Sequence, residues 1–272
     1  MAKHFAVLGS PIQHSKSPQI HLAAYRKLGF DWTYERFEVT ESGFNDFFAS
    51  KSSCYGGFSV TMPLKEVALA VSDSADDMAV RTQLANTLVS TADGWHASNT
   101  DVFGISQALT AHGVDNLQRV LLLGAGATAR SAVVALSGMN PNVAISILGR
   151  TATRVNDLIA FAASQGVVAT AFEPEAQSVD LTVSTLPAGT FRGFAGDLLA
   201  AGTLFDVAYN PWPSDAATHW QAAGLPIING IHMLIWQAIA QIRLFSQGSN
   251  DNALADEVGL AKVMLAAAQQ PA

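Results

Sequence analysis

Cysteine and charged residues are scarce in this chain, and each scarcity removes a class of protein from consideration. Cys54 is the single cysteine, so no disulfide can form within the chain, and a reducing cytoplasm is the expected compartment. Charged residues make up only 14% of the sequence and the net charge is −7, so we expect no general attraction to nucleic acid or to an anionic membrane. Any anionic ligand must therefore be held by local groups.

Long apolar runs and metal-ligand pairs are missing as well. No segment approaches the length of a membrane span, and Met1–Phe5 leads directly into a strand pattern without the apolar segment of a signal peptide. We therefore expect neither a membrane anchor nor a leader. None of the seven histidines forms a pair at metal-ligand spacing, so we predict no metal site.

Apolar residues, by contrast, make up 49% of the 272 positions. This length suits one large or two ordinary domains, and short apolar segments that alternate with helical patterns predict an α/β fold with a parallel sheet. Predicted strands cover 5–9, 32–39, 55–62, 84–89, 119–123, 142–148, 180–186, 203–209 and 226–229. Predicted helices cover 18–28, 44–49, 102–112, 130–136, 152–165, 231–245 and 253–269.

The most informative segment is 119–130, where an apolar strand leads into a glycine turn and then into a helical pattern. Gly124 permits a tight turn, Gly126 removes a Cβ where a pyrophosphate must come close, and Ala129 allows close packing of helix on strand. The helix start adds N–H donors and a positive dipole end. This G-x-G-x-x-A pattern predicts a dinucleotide site rather than an ordinary strand-to-helix turn, with contacts from Gly124, Ala125, Gly126, Ala127, Thr128 and Ala129.

The end of the next predicted strand, 142–148, distinguishes between the two nicotinamide dinucleotides. An NAD-binding unit usually ends this strand with a carboxylate for the ribose 2′-hydroxyl. Here Gly149, Arg150 and Thr151 follow, with Arg154 close behind, so two guanidinium groups are placed to bind a 2′-phosphate. The alternative is two solvated arginines, but cations are mildly disfavoured at a helix start. We therefore expect NADP.

Four polar residues in the first part of the chain are candidates for a second site. Ser15 and Ser17 lie beside the predicted start of a helix at Pro18, where a small carboxylate would be stabilised. Ser17 is explained about equally well as the N-cap, whereas Ser15 has no such structural role. Lys65 follows a strand end, where α/β enzymes bind their substrates, and Asp101 is either functional or a helix N-terminal acid.

Six segments, taken in order, resemble the shikimate dehydrogenase family over nearly the whole chain. They are 9–12 with 14–18 (Gly-Ser-Pro-Ile and His-Ser-Lys-Ser-Pro), 60–65 (Val-Thr-Met-Pro-Leu-Lys), 85–88 (Ala-Asn-Thr-Leu), 99–101 (Asn-Thr-Asp), 124–129 and 233–238 (Met-Leu-Ile-Trp-Gln-Ala). The resemblance implies a two-lobed α/β protein, with a substrate domain over 1–101 and 232–272 and a Rossmann NADP-binding domain over 102–231. The implied activity is the reversible NADPH-dependent reduction of 3-dehydroshikimate to shikimate in aromatic amino-acid (chorismate) biosynthesis, by a monomer or a homodimer.

The same resemblance implies a role for individual residues. Lys65 and Asp101 match the catalytic pair, and Ser15 and Ser17 match the serines that bind the substrate carboxylate. Further implied substrate contacts are Ser59, Thr61, Asn86, Tyr209 and Gln237, and further implied cofactor contacts are Gly149, Arg150, Thr151, Arg154, Thr185, Val207 and Gly230. The chain departs from the family pattern at Ser59 and Gly149, where asparagine is usual, at Val102, where glycine is usual, and at 83–85, so the substrate preference stays open.

Chemistry supports the implied activity independently. Reduction of a ketone needs a hydride donor, a matched pocket and a proton donor for the forming alkoxide. An ammonium group stabilises an alkoxide and can then protonate it, so we expect Lys65 to act as the acid and Asp101 to hold it in place. The reverse assignment, with Asp101 as the proton carrier, stays open.

Three other hypotheses remain. A quinate-preferring dehydrogenase of the same family is usually NAD-linked, which Arg150 and Arg154 disfavour. A dinucleotide-binding regulatory protein without turnover is disfavoured by the joint presence of Lys65, Asp101 and Gln237. A different two-lobed NADP enzyme, such as a folate dehydrogenase, does not explain the paired serines.

Overall fold

The computed structural model describes residues 3–115, 117–173, 179–194 and 200–270. The chain divides into two compact units, one made of Met1–Thr100 with Leu234–Ala272 and the other of Asp101–Met233. The first unit is therefore assembled from both parts of the chain that flank the second. Within the described ranges, no helix is both long and apolar enough to cross a membrane.

Among the residues that the structure describes, each unit contains one sheet. The strands of the first unit are β1 (Lys3–Gly9), β2 (Trp32–Glu38), β3 (Gly57–Val60), β4 (Ser74–Ala75), β5 (Thr87–Thr91) and β6 (Gly94–Ser98). Those of the second unit are β7 (Arg119–Leu123), β8 (Ala144–Leu148), β9 (Val168–Ala171), β10 (Leu181–Ser184), β11 (Thr203–Asp206) and β12 (Ile227–Asn229). The helices are α1 (Ser17–Leu28), α2 (Phe44–Lys51), α3 (Lys65–Ala70), α4 (Asp77–Thr82), α5 (Asp101–Ala111), α6 (Ala127–Met139), α7 (Ala152–Ser164), α8 (Asp215–Ala222), α9 (Ile231–Gln247) and α10 (Glu257–Ala268).

The sheet of the first unit is mixed, with the strand order β2-β1-β3-β5-β6-β4. β1 pairs in parallel with β2 and β3, whereas β5 runs antiparallel to both β3 and β6. The expectation of a parallel sheet is therefore wrong for this half of the chain. The physical reason is the short Ala92–Asp93 turn, which joins β5 directly to β6 as a hairpin and leaves no room for a crossover helix.

The sheet of the second unit is entirely parallel, with the order β12-β11-β10-β7-β8-β9. Counted from β7, this is the 3-2-1-4-5-6 order of a Rossmann fold. The strand order reverses between β7 and β10, and ligands of such sheets bind beyond the carboxyl ends of the strands at that point. The glycine turn after Leu123 lies at this position, which confirms the predicted fold class for this unit.

The C-terminal helices are integral to the first unit. Phe245 of α9 stacks on Phe5 of β1, with ring centroids 4.3 Å apart. The guanidinium of Arg243, also on α9, binds Glu257 of α10 with an Nη2–Oε2 distance of 2.7 Å, and both side chains are largely shielded from solvent. Aromatic packing therefore holds α9 against β1, and the ion pair joins α10 to α9.

Candidate active site

Strand directions bring several predicted site residues to one edge of the mixed sheet. β1 and β3 both end at this edge, where the Ser10 N–H donates to the Met62 carbonyl at 3.0 Å. β5 runs the other way and begins there, and the Val60 N–H donates to the Asn86 carbonyl at 2.7 Å. β6 ends there too, because the Asn86 N–H donates to the Ser98 carbonyl at 3.0 Å. The segments that carry Thr61 and Asn86 are therefore neighbours.

The two serines at the start of α1 differ from their predicted local roles. The prediction of Ser17 as the N-cap is wrong, because Ser17 is the first helical residue, Lys16 is at the cap position and no side chain caps the helix. The Ser17 hydroxyl instead hydrogen-bonds Tyr34 of β2. Ser15 also has a structural role after all, since its Oγ accepts the Ser17 N–H at 3.3 Å. This bond leaves the proton of the Ser15 hydroxyl for another partner.

Asn86 is the centre of a buried polar cluster. Its Nδ2 donates to Thr100 Oγ1 at 2.9 Å and to Gln237 Oε1 at 3.4 Å. Its Oδ1 accepts from the Thr100 N–H and from the Thr87 hydroxyl, both at 2.8 Å. The Gln237 Nε2 is held by the Leu234 carbonyl at 2.8 Å. The structure thus brings together two of the predicted hydroxyl ligands, Asn86 and Gln237, which lie far apart in sequence.

Lys65 begins a helix that the sequence did not reveal. It is the first residue of α3, and its carbonyl accepts the Ala85 N–H at 2.9 Å, next to Asn86. Its side chain is half-buried. Asp101 is the first residue of α5 and is buried. Because Asp101 belongs to the second unit and Lys65 to the first, the convergence of the two side chains stays a prediction.

A second buried cluster lies beside the first, and of its members only Ser59 is among the sequence-based predictions. Ser59 Oγ is 2.6 Å from the Tyr34 hydroxyl and 2.7 Å from Gln241 Oε1. His21 is stacked on Tyr34 with ring centroids 4.0 Å apart, and its Nε2 lies 3.2 Å from the same Gln241 oxygen. Its Nδ1 lies 3.3 Å from the Tyr25 hydroxyl. Complete burial, opposed only in part by the Gln241 bond, lowers the pKa of His21 to about 3.

The glycine turn after β7 has the predicted backbone geometry. Gly124 has a φ of +100°, a conformation that other residues rarely adopt, and its N–H donates to the Leu148 carbonyl at 2.8 Å. Gly126 occupies the N-cap of α6, where a Cβ would meet no atom of the described residues within 4 Å, so a ligand can approach this backbone closely. Ala129 is fully buried. The helix begins at Ala127, earlier than predicted, which places the glycine turn directly at its N-terminus.

The end of β8 presents cations and no acid. Arg150 and Thr151 are exposed, and Arg154 is exposed in the first turn of α7, which contains no acidic residue. Val155 explains why glycine stands at position 149, where asparagine is usual in the family. A Cβ on residue 149 would lie only 2.8 Å from Val155 Cγ2. With Val155 in this position, residue 149 offers only its backbone to a ligand.

The remaining predicted contacts of the second unit lie at the carboxyl ends of its strands. Thr185 follows β10 and donates its hydroxyl to the Leu123 carbonyl at 2.9 Å, beside the glycine turn. Val207 follows β11, and its carbonyl lies so close to Gly230 that a Cβ on Gly230 would overlap it. Tyr209 is half-buried in the loop after β11. This loop is closed by Asp206, which accepts from the Ala208 N–H at 3.2 Å and from the Ser214 hydroxyl.

The sequence did not reveal the buried residues that support Ser17, Asn86 and Ser59 by hydrogen bonds and stacking. These are His21, Tyr34, Thr87, Thr100 and Gln241. One signal was present, because Gln241 follows Gln237 by four positions on an otherwise apolar stretch of helix, so both lie on one face. Their partners could not be read from the sequence, since they lie on elements more than a hundred residues away.

Known proteins match this chain along most of its length. Residues 7–88 match the family model for the shikimate dehydrogenase substrate binding domain. A curated NADP(+) shikimate dehydrogenase from Methanococcoides burtonii is 33% identical over 255 residues, which cover 90% of this chain and 93% of that relative.

Solved structures also match this chain over nearly its whole length. The shikimate dehydrogenase of Mycobacterium tuberculosis is 37% identical, with a TM-score of 0.84 and coverage of 97% of this chain and 99% of that one. The Thermus thermophilus shikimate 5-dehydrogenase, solved in complex with NADP(H) and shikimate, is 28% identical, with a TM-score of 0.84 and the same coverage of both chains, 97% and 99%.

Proposed function

The chain belongs to the shikimate dehydrogenase family, and on that premise we propose that it catalyses the reversible NADP-dependent interconversion of shikimate and 3-dehydroshikimate in aromatic amino-acid biosynthesis. The observation that carries the proposal is the group of hydroxyl and amide side chains near one end of the strands of the mixed sheet, namely Ser17, Asn86 and Gln237. A ring that bears a carboxylate and several hydroxyls offers a hydrogen-bond partner to each of these groups.

We assign the substrate contacts as follows. Ser15 and Ser17, at the positive end of α1, bind the carboxylate. Thr61, Asn86 and Gln237 bind the ring hydroxyls, because Thr61 follows β3 at the same edge and the two amides already face each other. Tyr209 adds a contact from the loop after β11.

NADP(H) is the cofactor, and the residues of the second unit fit it. The turn from Gly124 to Ala129 takes the pyrophosphate at the N-terminus of α6, while Arg150, Thr151 and Arg154 take the 2′-phosphate. Thr185, Val207 and Gly230 line the carboxyl ends of β10, β11 and β12, where the nicotinamide half belongs in a Rossmann unit. NADPH supplies the hydride when bound.

Proton transfer is assigned to Lys65. Its ammonium group stabilises the negative charge that develops on the substrate oxygen and then donates a proton to that oxygen. Asp101 orients the ammonium and the reacting hydroxyl, and in the oxidation direction Lys65 accepts the proton back. Neither residue needs a metal for this step.

One assay tests the proposal directly. The purified chain is given shikimate or quinate with NADP or NAD, and the absorbance of the reduced nicotinamide is followed. We expect the highest kcat/KM with shikimate and NADP. A quinate- and NAD-preferring profile would support the other dehydrogenase activity, and no turnover with any pair would support a regulatory protein.

The arginines assigned to the 2′-phosphate, Arg150 and Arg154, give a separate prediction. Replacing Arg150 by alanine removes a charge-assisted bond to that phosphate, so kcat/KM for NADP should fall about 10- to 100-fold while the low value for NAD changes little. Arg154→Ala should act in the same direction. Steady-state kinetics with both dinucleotides measure the effect.

A matched control is available in the same unit. Arg119 is also exposed, but it opens β7 and so lies at the opposite end of the parallel strands. Arg119→Ala should leave both dinucleotides unaffected. Equal losses for NADP and NAD in the Arg150 variant would contradict a role in 2′-phosphate recognition.

We also propose a cytoplasmic location, because the single cysteine, Cys54, is exposed as a free thiol, a state that reducing compartments preserve. The proposed assembly is a monomer or a homodimer, and light scattering in solution decides between them.

A further inference from the structure

The Ser59 hydroxyl lies in the middle of a buried row of side chains that joins Ser17 to Asn86. Ser17 bonds Tyr34, whose hydroxyl is 2.6 Å from Ser59 Oγ. Ser59 Oγ is 2.7 Å from Gln241 Oε1, and Gln241 Nε2 is 3.2 Å from the Asn86 carbonyl. Ser59 is 4% exposed and Gln241 is 2% exposed, so water does not compete for these bonds.

A branch of the same row reaches the side chain of Asn86. Gln241 Nε2 also lies 3.1 Å from Thr87 Oγ1, and the Thr87 hydroxyl donates to Asn86 Oδ1 at 2.8 Å. The orientation of the Asn86 amide, and therefore the atom that it presents to a ligand, depends on where Gln241 holds Thr87.

One backbone group sets the direction of every bond in the row. The Asn86 carbonyl can only accept, so Gln241 turns Nε2 toward it and Oε1 toward Ser59. Ser59 must then donate its single proton to Gln241 and accept the proton of Tyr34. Burial raises the pKa of Tyr34, so this proton is retained. Ser59 therefore has no proton left for a ligand.

We propose that Ser59 is a positioning residue, which sets the orientations of Ser17 and Asn86 and does not itself bind the substrate. This inference rests on the proposed function, because Ser17 and Asn86 are the carboxylate and hydroxyl ligands assigned there. Without the Ser59 hydroxyl, the Tyr34 hydroxyl loses its acceptor. Gln241 Oε1 loses one of its two donors and keeps only the hydrogen bond with His21. The side chain of Tyr34 or of Gln241 then rotates toward a new partner. Ser17 or Asn86, which that side chain holds in place, is displaced as a result.

The test is a double-mutant cycle between the two hydroxyls at the centre of the row. Ser59→Ala and Tyr34→Phe each delete one oxygen, and each should raise the KM for shikimate about tenfold, with a smaller change in kcat and none in the KM for NADP. The double variant removes both partners of one bond, so its KM should stay about tenfold above the parent instead of reaching roughly a hundredfold.

Two further variants separate positioning from simple loss of structure. Ser59→Thr keeps the hydroxyl and should restore the parent KM to within about threefold. Tyr55→Phe deletes another tyrosine hydroxyl of the same unit, one that bonds Glu35 at the surface, and should change nothing. Urea unfolding of every variant confirms that each is folded under assay conditions.

Several outcomes would overturn the inference. Multiplicative KM effects in the double variant would mean that the two hydroxyls act independently, as a direct contact of Ser59 with substrate would require. A high KM in Ser59→Thr, or lowered stability with an unchanged KM, would equally refute it. A parent chain that turns over no shikimate refutes the proposed function instead, which keeps the two failures distinct.

Discussion

Lys65→Ala should lower kcat for shikimate oxidation by about 100- to 10,000-fold and change the KM for shikimate much less. The loss is of this size because, in the proposed role, one side chain both stabilises the alkoxide and moves its proton, and both interactions are made mainly in the transition state. Removal of a group that merely bound the substrate would raise KM and leave kcat near the parent value. Steady-state kinetics with saturating NADP separate the two cases.

The control for this variant is Lys51→Ala. Lys51 is an exposed lysine of the same unit, at the end of α2, and its loss should leave kcat within about twofold of the parent. If Lys65→Ala turned over substrate within a few-fold of the parent, the assignment of Lys65 as the proton donor would be wrong. Asp101→Asn would then be the variant to examine.

Acid should destabilise the first unit through His21. Folding lowers the pKa of this residue from 6.5 to about 3, so between these pH values the unfolded chain binds a proton that the folded chain excludes. Stability is therefore highest above pH 6.5 and falls as the pH drops toward 3. The linkage relation gives a loss of about 2 kcal/mol between pH 7 and pH 5, and roughly 4 kcal/mol by pH 3.

His21→Gln isolates this contribution, because glutamine can still donate to Gln241 Oε1 but does not titrate. Urea unfolding at pH 7, 6 and 5 should show a smaller loss of stability in the variant than in the parent, whatever their difference at pH 7. His14→Gln, at an exposed position, should keep the parent slope. Parallel losses in His21→Gln and the parent would show that other groups cause the acid sensitivity.

Local chemistry made the dinucleotide unit predictable. A tight turn at Gly124, a small residue at Ala129 and the absence of an acid after β8 depend on a few neighbouring residues, and the structure has these features where the sequence predicts them. Short elements were missed for the opposite reason. α3 and α4 have six residues each and β4 has two, too few for a periodic pattern to emerge.

Predictions of local structure near Ser17 and Asn86 were wrong or incomplete where contacts with distant residues override local preference. Ser17 followed by Pro18 predicts an N-cap, yet Tyr34 takes the Ser17 hydroxyl and the helix starts one residue earlier. The hairpin between β5 and β6 had a usable signal in Asp93-Gly94, a pair that favours tight turns. The link from Ser59 to Gln241 had none, because 182 positions separate the two residues.

Because the first unit draws on both parts of the chain that flank the second, it cannot be completed early in synthesis. The ribosome must translate all of Asp101–Met233 before the glutamines of α9 emerge, a delay of roughly 7–27 s at ordinary elongation rates. During that interval Ser59 and Asn86 have no amide partner from α9. A nascent chain arrested just before Leu234 would therefore carry every residue of the second unit and only the Met1–Thr100 part of the first.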